Sequence, residues 1–122
     1  MGQVKKIMIV DDSRVSRMMI KSIVVDKNPH WEVLEAGNTD EALKLSINQV
    51  IDYFSVDLNM PGRDGLELIE LLKPEFKSSK FALLTANIQQ ATHERAEKLI
   101  VQCFNKPVTN ESINQMLRYF NE

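Results

Sequence analysis

The sequence predicts an α/β protein in which helices cover both faces of a doubly wound, five-stranded parallel sheet. Short apolar stretches alternate five times with stretches whose apolar residues recur at helical spacing. No linker, repeat or low-complexity segment interrupts this alternation. Because parallel strands cannot be joined by tight hairpins, we expect the helices to serve as right-handed crossovers.

The first strand and helix lie next to two adjacent carboxylates. A strand over residues 7–10 ends on Asp11 and Asp12, and either Asp12 or Ser13 is a suitable N-cap for the helix that follows. An Asn-Pro pair at 28–29 should end this helix. The face that we expect to be buried consists of Val15, Met18, Met19, Ser22 and Ile23.

The second and third units follow the same plan. A strand over residues 31–36 precedes a helix that should begin with a capping box formed by Asn38 and Glu41. The third strand covers residues 53–57. The helix after it has an apolar stripe made of Leu66, Ile69 and Leu72. This stripe should pack against the sheet.

The last two units differ in how firmly their helices should be held. The fourth strand, 81–84, ends on Thr85, and the predicted helix over residues 87–99 has few apolar positions. The fifth strand, 101–105, is less apolar and ends on Lys106. The last helix has the clearest stripe in the chain, made of Ile113, Met116, Leu117 and Phe120. We therefore expect the fourth helix to be the more weakly held.

Asp57 closes the third strand and is followed by Leu-Asn-Met-Pro-Gly-Arg-Asp-Gly. Pro61 has a fixed φ, and Gly62 and Gly65 permit positive φ, so that the backbone can reverse sharply just after the carboxylate. An isolated Asp in such a place more often begins a surface loop. The residues at the other strand ends favour a different interpretation.

Polar residues follow four of the five predicted strands. They are Asp11 and Asp12 after the first strand, Asp57 at the end of the third, Thr85 after the fourth and Lys106 after the fifth. Each of them alone more often caps a helix or ends a strand. The carboxyl ends of parallel strands meet at one edge, where open α/β sheets bind ligands. We therefore expect these residues to form one site.

The chemistry of this site follows from its charges. Three neighbouring carboxylates repel one another unless a hard cation such as Mg²⁺ lies between them. Such a cation favours phosphate, which suits Asp57 to act as a nucleophile that accepts a phosphoryl group. Lys106 would neutralise charge on the transferred oxygens, and Thr85 would donate a hydrogen bond to one of them. Neither GxxxxGK[ST] nor GxGxxG occurs, so the donor should not be a nucleotide bound here.

The composition limits the class of protein. The chain has 122 residues, a formal net charge of -2 and one cysteine. We expect a single domain over residues 1–122, in the reducing cytoplasm and without a disulfide. A chain with no basic surplus and no long apolar run should bind no nucleic acid directly and should not insert into a membrane.

From residue 4 to residue 121 the chain resembles the receiver domains of two-component response regulators, the CheY-like group. The resemblance rests on the motifs Ile-Val-Asp-Asp-Ser, Val-Asp-Leu-Asn-Met-Pro-Gly-Arg-Asp-Gly, Leu-Thr-Ala and Lys-Pro. It implies the strand order 2-1-3-4-5. It also implies a signalling switch that receives phosphoryl groups from a phosphohistidine on a sensor histidine kinase or phosphotransfer protein and alters the binding of an output protein.

The resemblance further implies a role for each residue of the site. Asp57 is the expected phosphoacceptor. Mg²⁺ would be bound directly by Asp12, Asp57 and the Asn59 backbone carbonyl, and by Asp11 through water. Thr85 would supply the switch hydroxyl, and Lys106 the phosphate-binding ammonium before a cis Lys-Pro bond.

Other positions should modulate the switch. Asn59 and Asn87 stand two residues past Asp57 and Thr85, where they would flank the path of a water that hydrolyses the phosphoryl group. Cys103 occupies the place where receivers usually carry Tyr or Phe, and the neighbouring Phe104 should face the other way. We therefore expect the signal to leave through the fourth helix, fifth strand and fifth helix, where Ile100 and Val101 offer apolar contacts.

Two other functions compete with this one. A small Mg²⁺-dependent phosphatase or phosphotransferase that forms an aspartyl phosphate would use similar residues, but five strand-helix units leave little room for a specificity region. A degenerate receiver that binds partners constitutively would not need Asp57, Thr85 and Lys106. We expect a protein that catalyses only its own phosphorylation and dephosphorylation, rather than an enzyme with a separate substrate.

Overall fold

A five-stranded parallel sheet in the order β2-β1-β3-β4-β5 forms the centre of the molecule, in a computed structural model that describes residues 4–86 and 89–122. This confirms the predicted fold and strand order. The strands are β1 (Lys6–Val10), β2 (Glu32–Ala36), β3 (Tyr53–Asp57), β4 (Lys80–Thr85) and β5 (Gln102–Asn105). The helices are α1 (Arg14–Lys27), α2 (Thr39–Ser46), α3 (Gly65–Leu72), α4 (Gln90–Lys98) and α5 (Asn110–Phe120). Within the described ranges no helix is long and apolar enough to cross a membrane.

Alternating side chains divide the core into two layers, one on each face of the sheet. On β1, Ile7 and Ile9 pack towards α1 and α5, whereas Met8 and Val10 pack towards α2, α3 and α4. All four are almost completely buried. A strand that is buried on both faces reads as an unbroken apolar run, which explains why β1 was visible in the sequence.

The helix stripes predicted for α3 and α5 are confirmed, because every residue named for them is buried. The buried face predicted for α1 is wrong. Ile20 and Val24 are its buried residues, and Ile23 is half-buried. Four of the five predicted residues are exposed, namely Val15, Met18, Met19 and Ser22. The helix carries apolar residues on two faces, and helical spacing alone does not say which face meets the sheet.

The N-caps predicted from the sequence are largely confirmed. Ser13 caps α1, and its hydroxyl oxygen accepts a hydrogen bond from the backbone N–H of Ser16 at 3.2 Å. Asn38 caps α2 in the same way through the N–H of Glu41, at 2.8 Å. The capping box predicted there is incomplete, because the Glu41 carboxylate accepts a hydrogen bond from the N–H of Gly37 instead.

Helix α4 is held by few buried side chains, as its sequence predicted. Of the α4 side chains that the structure describes, only Ala96 is buried. At the C-terminal end, the N–H of Val101 donates to the carbonyl of Ala96 and that of Ile100 to the carbonyl of Glu97. This Schellman arrangement places Ile100 at φ 58°, a conformation that favours glycine and is unfavourable for a β-branched residue.

Ser55 supplies a test of the core. It lies in the middle of β3 between Ile9 and Ala82, and its buried hydroxyl has no hydrogen-bond partner among the described residues. A buried hydroxyl without a partner costs about 1–3 kcal/mol. We therefore expect Ser55→Ala to raise the free energy of unfolding by about 1 kcal/mol in urea titrations. Ser79→Ala is the control and should lower it, since the Ser79 hydroxyl donates to the carbonyl of Ile51. A less stable Ser55→Ala protein would contradict this prediction.

Candidate functional site

The ends of β1 and β3 bring two carboxylates side by side, opposite one ammonium group. Asp11 and Asp57 are 1% and 4% exposed. The Lys106 Nζ lies 2.9 Å from Asp11 Oδ2, to which it donates a hydrogen bond, and 3.3 Å from Asp57 Oδ1. Lys106 reaches them because β5 ends at the same edge of the sheet, where its backbone N–H donates to the carbonyl of Thr85 at 2.9 Å. The predicted convergence of these strand ends is thus observed.

Asp12 completes an acidic cluster with Asp11 and Asp57. One carboxylate oxygen of each residue lies within 4.8 Å of the others. Asp12 is exposed, so the cluster opens to solvent on its side. Three carboxylates opposed by the one ammonium of Lys106 leave a net negative charge that a single divalent ion would balance.

Burial dominates the electrostatics of Asp57. Burial, and after it the negative charge of Asp11, raise the pKa of this carboxyl group, which lies at about 6 with all influences included. The ammonium of Lys106 and the backbone N–H of Asn59 both oppose this rise, because each donates a hydrogen bond to the ionised form. Burial lowers the pKa of Lys106, but its bonds to Asp11 and its attraction to Asp57 outweigh burial and raise it overall.

The cluster fits a hard divalent cation. All of its donors are carboxylate oxygens, the ligands that Mg²⁺ and Ca²⁺ prefer. Ligands on opposite sides of such an ion are roughly 4–5 Å apart, and the three oxygens observed here lie no more than 4.8 Å from one another. An ion would also offset the repulsion between Asp11 and Asp57, which after burial is the second cause of the raised pKa of Asp57.

The structure shows the position of some of the remaining predicted site residues but does not test their roles. Thr85 is buried at the end of β4, where it pairs with Asn105 of β5 and its carbonyl accepts the hydrogen bond from the N–H of Lys106. Asn59 is exposed beside Asp57. The roles predicted for the Thr85 hydroxyl and the Asn59 carbonyl stay predictions, and Asn87 lies outside the described residues. The peptide bond between Lys106 and Pro107 is cis, as the resemblance implied.

The two glycines of the β3–α3 turn have different roles, although the sequence allows both to adopt positive φ. Only Gly62 does so, at φ 79°. Gly65 opens α3, and its N–H donates to the carbonyl of Leu58 at 2.9 Å. A Cβ atom at Gly65 would overlap the backbone carbonyl oxygen of Asp57. Gly65 is therefore required so that α3 can start against the strand end that carries Asp57.

Two residues near the site escaped the sequence analysis. Asp64 caps α3 through a complete capping box with Glu67. Its second carboxylate oxygen lies 3.4 Å from Arg95 Nη1 on α4, so the turn after Asp57 is in contact with α4. Arg17 on α1 donates a hydrogen bond to the backbone carbonyl of Asp11. The spacing Asp-x-x-Glu marks the first as a cap, whereas nothing in the sequence pairs Arg17 with a carbonyl group.

Cys103 lies beside a shallow cavity of about 370 Å³ between α4, β5 and α5. The thiol is half-buried towards the core layer of α2, α3 and α4, and burial raises its pKa. Phe104 packs in the other layer, as strand alternation predicted. Ile100 is 79% exposed at the edge of this cavity, whereas Val101 is buried, so the expectation that Val101 offers a surface contact is wrong and that for Ile100 stays a prediction.

Comparisons with known proteins bear on this site. The model of the response regulator receiver domain family matches residues 7–118. The chemotaxis protein CheY of Bacillus subtilis (strain 168) is 32% identical over 117 residues, which cover 92% of this chain and 97% of the relative.

Two solved structures are similar to the chain. The chemotaxis protein CheY4 of Vibrio cholerae superposes with a TM-score of 0.87 over 97% of this chain and 99% of that chain, at 23% identity, which supports the fold alone. A response regulator from Burkholderia pseudomallei superposes with a TM-score of 0.80 at 29% identity, over 90% of this chain and 64% of that chain. That protein was solved with a phosphorylated aspartic acid, a calcium ion and citrate.

Gly65→Ala tests how the turn positions Asp57. The new methyl group would force α3 away from the Asp57 carbonyl, so we expect a loss of about 2 kcal/mol in the free energy of unfolding and weaker binding of divalent ions. Gly62→Ala is the control, because no atom lies within 4 Å of its Cβ position. It should lose only about 1 kcal/mol through its positive φ and should bind ions normally. Denaturant titrations and calorimetry measure both effects, and equal behaviour of the two variants would contradict the assignment.

Proposed function

The chain belongs to the family of response regulator receiver domains and is a phosphorylation-dependent signalling switch, and we propose that Asp57 takes up its phosphoryl group. The observation that carries this proposal is the position of the buried Asp57 carboxylate, 3.3 Å from the Lys106 ammonium and within an acidic cluster that opens to solvent. Family membership supports a switch over the small phosphatase considered as an alternative.

The transfer is a displacement at phosphorus. An oxygen of the Asp57 carboxylate forms the new bond to phosphorus while the bond between phosphorus and the donor's imidazole nitrogen breaks, and that nitrogen keeps the electron pair. The nucleophile must be ionised, which a pKa of about 6 allows at neutral pH. Lys106 is already beside the carboxylate and can neutralise charge that develops on a transferred oxygen.

We assign the acidic cluster to Mg²⁺. Asp12, Asp57 and the Asn59 carbonyl would bind it directly, and Asp11 through water, an arrangement supported by the all-oxygen donor set and the uncompensated negative charge. The Burkholderia pseudomallei regulator, solved with a phosphorylated aspartic acid and a calcium ion, supports a divalent ion in this family. When bound, the ion would supply positive charge to the phosphoryl oxygens.

Further residues would control the duration and output of the signal. The Thr85 hydroxyl would donate to a phosphoryl oxygen, and Asn59 and Asn87 would orient the water that removes the group. We propose a sensor histidine kinase or phosphotransfer protein as the donor and an output protein that binds the α4–β5–α5 face. The few buried contacts of α4 and its link from Arg95 to Asp64 support that face, because the turn after Asp57 touches α4 there.

Phosphorylation is tested by intact-protein mass spectrometry after incubation with Mg²⁺ and acetyl phosphate. We expect one added phosphate on the wild-type protein and none on Asp57→Asn. Asp26→Asn, which removes an exposed carboxylate on α1, is the control and should be labelled normally. Lys106→Ala keeps the nucleophile but should be labelled about 100-fold more slowly, because it lacks the neutralising charge. Label on the Asp57→Asn protein would show that another residue accepts the phosphoryl group.

The output face is tested by hydrogen exchange with and without beryllofluoride. We expect the largest changes between residues 85 and 99. Ile100→Gly removes the strain of a side chain at φ 58°, worth about 1 kcal/mol, so α4 should exchange roughly fivefold more slowly without beryllofluoride. The control is Val50→Gly, at an exposed position outside α4, which should leave the exchange of α4 unchanged. Leu71→Gly would not serve as a control, because a glycine inside α3 would weaken that helix. Exchange changes confined to α2 and α3 would place the output elsewhere.

A further inference from the structure

Arg17 contacts two different strand ends next to the acidic cluster. Its Nη1 donates a hydrogen bond of 2.7 Å to the backbone carbonyl of Asp11, and its Nε donates one of 3.3 Å to Glu35 Oε1 on β2. The Arg17 side chain is only 18% exposed. A guanidinium group is seldom withdrawn from water to this extent unless its donors are used, and here two of them bind separate parts of the sheet edge.

The Asp11 backbone is held from several directions. Its N–H donates to the carbonyl of Ala36 at 3.0 Å, and its two carboxylate oxygens accept from the N–H of Ser13 and the ammonium of Lys106, each at 2.9 Å. Arg17 supplies the remaining contact, at the carbonyl oxygen. That carbonyl belongs to the rigid peptide unit that leads into Asp12. Its orientation therefore helps to set the direction in which the Asp12 carboxylate projects.

We propose that Arg17 is a positioning residue for the cation site. By joining the Asp11 carbonyl to Glu35, it fixes the Asp11–Asp12 peptide so that the exposed Asp12 carboxylate points into the cluster. Arg17 thereby sets the affinity for a divalent cation without contacting the ion. This inference rests on the proposed function, in which the acidic cluster binds Mg²⁺.

The sign of the effect separates positioning from simple charge. A guanidinium group close to the cluster repels a cation, so if its charge were its main influence, its removal would strengthen cation binding. If positioning is its main influence, its removal weakens cation binding. A lysine at this position keeps the charge but lacks the planar fork that reaches two acceptors at once.

Lys21 provides a matched control on the same helix. Its Nζ lies 3.6 Å from Glu35 Oε2, so it interacts with the same carboxylate as Arg17. It is one helical turn further along α1, and the structure records no contact between its side chain and Asp11. Its replacement removes a positive charge from Glu35 and leaves the Asp11 carbonyl bond in place.

The experiment is a calorimetric titration of the full chain with MgCl₂, accompanied by thermal melts in EDTA. We expect the Kd for Mg²⁺ to rise about tenfold in Arg17→Lys and Arg17→Met, as is typical when a group that orients a ligand is lost. The Kd of Lys21→Met should stay within about twofold of the wild-type value. The melts in EDTA measure any general loss of stability separately from the change in Kd.

The outcomes separate the inference from the proposed function. A wild-type chain that does not bind Mg²⁺ would overturn both. Unchanged or tighter binding by the Arg17 variants would overturn the positioning role alone, and so would a lower melting temperature with an unchanged Kd. If those variants do not fold, Glu35→Gln, which weakens the other end of the contact, should raise the Kd in the same direction. An unchanged Kd in Glu35→Gln would then overturn the inference.

Discussion

The uncompensated negative charge at the carboxyl edge of the sheet is the constraint on which the rest of the structure depends. Asp57 and Asp11 are buried side by side, Asp12 lies next to them, and the ammonium group of Lys106 is in contact with the buried pair. Buried charges without partners are unfavourable, so the folded chain holds the pKa of Asp57 near 6. A divalent ion and a phosphoryl group bring opposite charges to this edge. The binding of either one would therefore change the net charge around Asp57.

The fold concentrates this charge through backbone features more than through side-chain packing. Parallel strands deliver Asp11, Asp57 and Lys106 to one edge, and the missing Cβ of Gly65 lets α3 start against Asp57. The turn between them also touches α4 through Asp64 and Arg95. Helix α4 buries few side chains and is followed by Ile100, whose backbone is in the left-handed conformation. A rearrangement near Asp57 can therefore displace α4 at a small cost in free energy.

The sheet and the charged residues of the site could be predicted from the sequence. Buried parallel strands are continuous apolar runs, and they end where the ligand site lies. The sequence did not indicate which face of α1 is buried, since the exposed Val15 and Met18 form as good a helical stripe as Ile20 and Val24. The sequence also did not show why residue 65 is glycine, because close approach and positive φ both select glycine. The role of Arg17 depends on a carbonyl group, and backbone acceptors leave no trace in the sequence.

The most direct test of the charge imbalance compares the unfolding free energies of Asp57→Asn and the wild-type protein between pH 4 and 7. The folded wild-type protein keeps the Asp57 proton up to about pH 6, whereas the unfolded chain releases it near the ordinary pKa of 3.8, so the contribution of Asp57 to wild-type stability falls as the pH rises between these values. In EDTA the advantage of Asp57→Asn should therefore grow with pH, by on the order of 3 kcal/mol. Saturating Mg²⁺ should remove that advantage at pH 7. A difference that depends on neither pH nor Mg²⁺ would contradict the account.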